Sequence, residues 1–296
     1  MARKGSCFSD LNIPIEGDKK CVSRILERLA EYGYERVALN EDISLVKKAS
    51  LRAARELSEV VDDIPVSSKR RTLNVIRRLT VLAEDPSLLH VLGSPPAETY
   101  DLLAVRPGSE KVFQHACSTL NIDIISLDLS QRIPFYMKYP QVSQAMERGL
   151  HFEICYSPAI RDVTARRNVI ANAQELVKMT KGKGNIILSS EARSDFELRP
   201  PEDVSNLCHL FGFKNDQCKG TLTTVCRSVL MHAVMRRETA KGVVGCVRMD
   251  SLLSCDKWQS VLVEPGQAPD HEQVEMAGKR GLPDAPEPKS KKMKCN

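Results

Sequence analysis

The sequence predicts an α/β fold, a TIM-like (β/α) barrel of about seven βα units followed by a disordered C-terminal tail, and three observations predict it. Short apolar runs of strand length alternate with helical patterns from residue 7 to residue 188, the signature of a parallel sheet covered by helices. The alternation reaches seven units without a GxGxxG or a GxxxxGK[ST], which favours a closed or nearly closed barrel over an open nucleotide-binding sheet. One stretch, HFEICYSPAIRDVTARRNVIANAQELVKMTKGKGNIILSSEA at 151–192, is a complete strand, helix, strand crossover.

Taken in order, buried strands are expected at 7–13, 36–40, 73–83, 100–105, 123–127, 152–156 and 185–188. Helices are expected between them at 19–32, 87–92, 109–120, 142–149 and 164–181, with a looser helical pattern at 45–60. In the last of the crossovers Val169, Ala173, Leu176 and Val177 share one helix face. Asp162 or Thr164 can cap its start, and Gly182 can end it in the left-handed conformation. Past the seventh strand, Pro200 and Pro201 followed by Glu202 and Asp203 open another helix, which Gly212 can end. An amphipathic segment over 216–237 puts Leu222, Val225, Cys226, Val229, Leu230 and Ala233 on one side, a face expected to dock on the barrel. Two regions result: a barrel domain over 1–247 and a flexible tail over 248–296, proline-rich and acidic before it turns basic.

With 296 residues, 42% of them hydrophobic and 27% charged, the chain can bury a large core. No apolar run approaches the roughly 18 residues of a membrane span, and MARKGSCFSDLNIPIEGDKK lacks the apolar stretch of a secretory signal, so an intracellular protein without a membrane partner is expected. The 10 cysteines form no CxxC pair, which signals neither a zinc module nor a redox dithiol. Reduced thiols packed in the core are the expectation.

Net charge is +5, and its distribution says more than its size. Basic clusters stand at Lys69, Arg70 and Arg71; at Arg77 and Arg78; at Arg161, Arg166 and Arg167; at Arg236 and Arg237; and near the C-terminus, an electrostatic footprint suited to nucleic acid. Arg161, Arg166 and Arg167 sit where the sixth strand hands over to its helix. Cations there oppose the helix dipole by roughly 0.3 to 1 kcal/mol, and an anionic partner reverses the sign. Arg193 and Arg199 follow the seventh strand, so right-handed connections bring all five to one phosphate-binding edge. The alternative for these arginines is pairing with acids on neighbouring helices. Aromatic content is 5%, and Phe135, Tyr136 and Tyr139 form the one cluster that looks exposed, so backbone-directed rather than base-specific binding is expected. Lys279 and Arg280, a short spacer, and then Lys289, Lys291, Lys292 and Lys294 match a bipartite nuclear localisation signal.

Catalytic groups of a barrel lie at the C-terminal strand ends. Here those positions carry Ser9, Asp10, Asn40, Glu84, Asp85, Arg106, Asp128, Ser157, Ser190 and Glu191. Histidines fall elsewhere: His90, His115, His209 and His232 in helices, His151 before a strand and His271 in the tail. A hydrolytic metal site combines imidazole with carboxylate, and a nucleophile needs a nearby base. Neither constellation is visible. Asp10, Asp128 and Glu191 alone could hold Mg²⁺ with several waters, but polar residues hydrogen-bonded to loops at a barrel mouth are the commoner case, so no catalytic or resident metal site is expected, with a metal-dependent barrel phosphoesterase and a nuclear interaction protein without RNA kept as alternatives.

Several blocks carry a resemblance: RLTVLAEDPS at 78–87, YDLLAVRPGSEKVFQHAC at 100–117, IPFYMKYPQVSQAMERGLHFEICYSPAIRD at 133–162 with the TARR after it, NIILSSEA at 185–192, RPPEDVSNLCHLFGF at 199–213, and the tail ending in SKKMKC. In order and over nearly the whole chain, they resemble the thirty-kilodalton protein subunit shared by eukaryotic ribonuclease P and ribonuclease MRP. The resemblance implies a fold similar to phosphoesterases of the polymerase and histidinol phosphatase type. It implies a nuclear and nucleolar scaffold that contacts RNA and helps an RNA catalyst, using its own Mg²⁺, remove the 5′ leader of precursor tRNA and process precursor rRNA. The implied partners are the ribonuclease P and MRP RNAs, precursor tRNA, a small RNA-binding subunit and the other protein subunits. Where those phosphoesterases carry HxH after the first strand, this chain has Ser9, Asp10 and Leu11. Where they carry Asp-x-His after the last, it has Ser190, Glu191, Ala192 and Arg193, so no catalytic residue is transferred.

Overall fold

Seven parallel strands form one sheet in chain order, with every neighbour in the chain a neighbour in space. The computed structural model describes residues 7–15, 18–45, 53–61, 73–182 and 184–238. The strands are β1 (Phe8–Pro14), β2 (Tyr34–Leu45), β3 (Asn74–Ala83), β4 (Leu102–Pro107), β5 (Ile124–Ser126), β6 (His151–Cys155) and β7 (Ile186–Ser189). Between β1 and β7 the sheet is nearly closed rather than laddered. Glu191 N donates to Asn12 O at 2.9 Å, and Ser190 N donates to the Asp10 carboxylate at 3.1 Å, so one backbone bond and one side chain span the seam.

The helices are α1 (Lys19–Glu31), α2 (Leu57–Val60), α3 (Pro95–Glu98), α4 (Glu110–Ser118), α5 (Tyr139–Glu147), α6 (Ser157–Arg161), α7 (Val163–Thr180), α8 (Pro201–Leu207), α9 (Asn215–Cys218) and α10 (Thr224–Glu238). Their apolar faces pack on the outward strand residues, as with Val22, Ile25, Leu26 and Leu29 of α1 and Val169, Ala173, Leu176 and Val177 of α7. This is the main core. A second core lies inside the barrel, where Leu11, Ala38, Ile76, Leu102, Ala104, Ile124 and Ile187 meet Cys226, Val229 and Ala233 of α10. Helix α10 therefore plugs the end of the barrel at which the strands begin. Arg236 and His232 fasten it to Asp123, just before β5, and Arg237 fastens it to Asp101, just before β4.

Several elements differ from the sequence expectation, each for a local reason. The looser helix expected over 45–60 is helical only at Leu57–Val60, since β2 runs on to Leu45, and residues 46–52 lie outside the described residues. The turns over Pro86–Gly93 are 3-10 rather than α, with Asp85 accepting from Ser87 N at the start and Gly93, Pro95 and Pro96 preventing propagation. The crossover helix expected over 164–181 is α7, and a short unexpected helix, α6, precedes it, because Asp162 is extended and caps a new start. Its left-handed C-cap is Lys181, at φ 51°, one residue before Gly182 at φ 65°. The segment over 216–237 is α9, a 3-10 turn at Lys219–Leu222 and then α10, split where the hydroxyls of Thr221 and Thr223 take backbone carbonyls of Cys218 and Lys219.

Candidate nucleic-acid interface and barrel interior

Above the apolar plug the barrel is filled by a hydrogen-bonded polar layer. Arg78 on β3 and Glu153 on β6 meet across the interior through two 2.6 Å bonds, and neither side chain is exposed. The guanidinium also donates to Leu11 O at 2.6 Å and to Thr80 Oγ1 at 3.1 Å. Thr80 donates to Asn40 Oδ1, Asn40 donates to Asn12 Oδ1, and Asn12 donates to Glu153 Oε2, which closes a ring through β1, β2, β3 and β6. Burial on its own would raise the Glu153 carboxyl, but Arg78 outweighs it and holds the group below its usual range. A β-bulge between Asp10 and Ile13 allows Leu11 to join the apolar plug while Asn12 joins the polar ring.

Nearer the C-terminal mouth, Arg106 on β4 donates to Glu191 Oε1 at 2.9 Å and reaches Ser126 Oγ at 3.4 Å. Glu191 adopts a left-handed backbone, φ 56°, in a residue type that disfavours it. Its N–H is committed to the seam while its carboxylate turns to Arg106, which accounts for the conformation.

The three carboxylates that could have shared a metal are held apart by different duties. Asp10 lies within β1, buried at the seam, accepting from Ser190 N and Asn12 N. Asp128 is exposed and ties its own loop through Ser130 N and Oγ. Glu191 answers Arg106. Among the described residues no group of three or more His, Cys, Asp or Glu stands where it could hold a metal ion. The three carboxylates thus serve separate partners, and the Arg78 and Arg106 guanidinium groups stand in the barrel interior beside two of the acidic side chains there.

The basic clusters separate into two kinds. Arg78 is core, Arg77 pairs with Asp101, and Arg236 and Arg237 clasp α10, so those clusters leave the electrostatic footprint that their spacing suggested. Arg161, at the end of α6, reaches Glu197 at 3.6 Å. Arg166, in the first turn of α7, donates from Nε to Ala159 O at 2.7 Å, and Arg167 beside it is exposed. Arg199 donates to Phe196 O and Leu198 O at 2.8 and 2.7 Å. Arg193 begins the same loop, with its N–H on Glu197 Oε2. Lys69, Arg70, Arg71, the 248–296 tail and its nuclear localisation residues lie outside the described residues.

The loops after β6 and β7 therefore bring Arg161, Arg193 and Arg199 around one turn, with Arg166 at the adjoining α6–α7 corner. The start of α7 is not an open phosphate site, because Asp162 Oδ2 accepts from Ala165 N at 2.7 Å. Sequence reasoning missed Phe196, which is 82% exposed and lies between Arg193 and Arg199 along the chain. A lone Phe among acids in a loop carries no periodic signal. Of the aromatic cluster singled out in the sequence, Phe135 stacks on Phe113, Tyr139 lies under Lys181, and Tyr136 is exposed.

Comparison with known proteins adds four findings. A family model described as RNase P subunit p30 matches residues 7–238. The chain is 38% identical over 247 residues to the Mus musculus protein named Ribonuclease P protein subunit p30, covering 82% of this chain and 91% of that one. It is 26% identical over 255 residues to the Saccharomyces cerevisiae Ribonuclease P/MRP protein subunit RPP1, covering 79% and 83%. Its fold is similar, at a TM-score of 0.60 and 12% identity, to a chain in the cryo-EM structure of archaeal Ribonuclease P with mature tRNA, over 80% of this chain and 98% of that one.

Proposed function

The chain belongs to the ribonuclease P subunit p30 family, and from that membership we propose how this subunit works inside the ribonucleoprotein. It is a protein subunit of ribonuclease P, and its likeness to a protein named for both ribonuclease P and MRP extends that role to MRP. In our reading it is a scaffold that contacts RNA and does no cleavage itself. The RNA components, with Mg²⁺ of their own, remove the 5′ leader of precursor tRNA and act in precursor rRNA processing. This chain then needs no cofactor. Its partners are the two RNAs, precursor tRNA, a small RNA-binding subunit and the other protein subunits. It works in the nucleus, with the nucleolus as its place of concentration.

One observation carries the non-catalytic reading. The interior where a phosphoesterase barrel would collect metal ligands is closed by the Arg78–Glu153 and Arg106–Glu191 pairs, while Arg166 and Arg167 stand exposed outside it, in the first turns of α7. Neutralising the interior cations with carboxylates and presenting others at the rim suits binding of a polyanion. To test it, the tagged protein is isolated from nuclear extract at moderate salt and assayed on precursor tRNA before and after nuclease digestion of co-purified RNA. Cleavage lost with the RNA is expected. Cleavage that survives digestion and persists in pure recombinant protein would overturn the reading, as would absence of both activity and bound RNA.

A further inference from the structure

We propose that Phe196 is a stacking platform for an unpaired RNA base, with the guanidinium groups around it holding the flanking phosphates. The inference rests on the RNA-contacting reading above and gives it a specific chemistry.

The ring is 82% exposed, far more than the other described phenylalanines. A fold that only needed to cover it has an apolar core two residues on, since Leu198 is 1% exposed. Instead the turn is built to hold the ring outward. Glu197 N donates to Ser194 O at 3.2 Å and Leu198 N to Asp195 O at 3.3 Å, which closes the 3-10 turn Asp195–Glu197. Arg199 clamps it from below through the carbonyls of Phe196 and Leu198. The next link is rigid as well: Arg199 N donates to Tyr156 Oη, and Tyr34 Oη donates to Arg199 O, each at 3.2 Å, from two different strands' ends. Such a turn presents an aromatic face without the ordering cost of a mobile loop.

The charge around the ring selects the ligand. Phe196 lies between two acids, yet Glu197 is engaged by Arg193 N at 3.0 Å and by the Arg161 guanidinium at 3.6 Å. The guanidinium groups of Arg161 and Arg199 flank the turn through Glu197 and the Phe196 carbonyl, and Arg166 stands at the α6–α7 corner. A protein partner seeking an apolar anchor would meet this cationic rim as a desolvation cost. A nucleotide satisfies both parts, with its base on the ring and its phosphates on the guanidinium groups.

The test uses the full chain with ribonuclease P RNA, once unmodified in binding titrations and once substituted with 5-iodouridine for photocrosslinking. Phe196→Ala is expected to weaken binding by about 5- to 150-fold with an unchanged salt slope, and Phe196→Tyr to keep it. The crosslinked peptide should carry residue 196. If Phe196→Ala binds within twofold of wild type while Arg166→Ala/Arg167→Ala is impaired, stacking is overturned and the RNA-contacting reading stands. If neither variant changes binding, both fail. Loss of binding to another protein subunit in an RNA-free mixture would assign the ring to a protein partner instead and overturn stacking.

Discussion

The guanidinium of Arg78 and the carboxylate of Glu153 form a bidentate pair with both side chains fully out of solvent, joining strands three apart across the barrel axis. The attraction has to offset the desolvation of two ions, so the pair is worth little beyond a well-packed apolar replacement, while half of it is a liability. Arg78→Met should therefore destabilise the protein by about 3 to 5 kcal/mol, and Arg78→Met/Glu153→Leu should recover most of that loss. Urea denaturation of both variants reads the difference. A single variant within about 1 kcal/mol of wild type would mean that water reaches Glu153.

Asp10 supplies the pH dependence. Burial raises its carboxyl to about 6 despite the hydrogen bonds from Ser190 and Asn12. Because the folded state binds this proton more tightly than the unfolded chain, the contribution is complete below about 4 and is lost as the pH rises through about 6. The loss is of the order of 3 kcal/mol. Other carboxylates, Glu153 among them, run the opposite way, so the comparison has to be between variants. Asp10→Asn should gain stability relative to wild type as pH climbs from 4 to 7, measured by thermal or urea unfolding at each pH. A difference flat across that window would show Asp10 to be ionised at the seam throughout.

Helix α7 starts on a carboxylate of its own. Asp162 accepts from Ala165 N, so Asp162→Ala should cost about 0.5 to 2 kcal/mol, and Asp162→Asn should restore nearly all of it. Melting curves suffice for the comparison. Equal losses in both variants would assign the effect to charge at the helix dipole rather than to the cap.

What the sequence revealed and what it hid follow from which interactions are local. Strand existence was legible because apolar runs such as Phe152 to Tyr156 need no knowledge of their partners. The α7 cap was legible as a choice between Asp162 and Thr164 for the same reason, the bond to Ala165 N spanning three residues. Arg78 was not, since only the fold brings Glu153 to it from 75 positions away. Arg236 and Arg237 likewise resemble surface charge until Asp123 and Asp101 are seen against α10. Phe196 was hidden by the reverse circumstance: nothing in a sequence says that an apolar ring is left outside.

The rim arginines make a prediction that depends on salt rather than on affinity alone. Arg166 is steered by its Nε bond to Ala159 O, and Arg167 is exposed one residue on, so each can meet a phosphate, whereas Arg161 is partly spent on Glu197. Every phosphate neutralised on a single strand releases counterions and adds about 0.7 to the slope of log K against log salt. Losing two contacts in Arg166→Ala/Arg167→Ala should flatten the slope by about 1.4 and weaken binding of all RNA sequences alike. Titrating ribonuclease P RNA with the full chain across a range of KCl concentrations measures it. An unaltered slope with reduced affinity would mean that the two residues shape the surface without touching phosphate, and an unaltered slope with unaltered affinity would remove them from the interface.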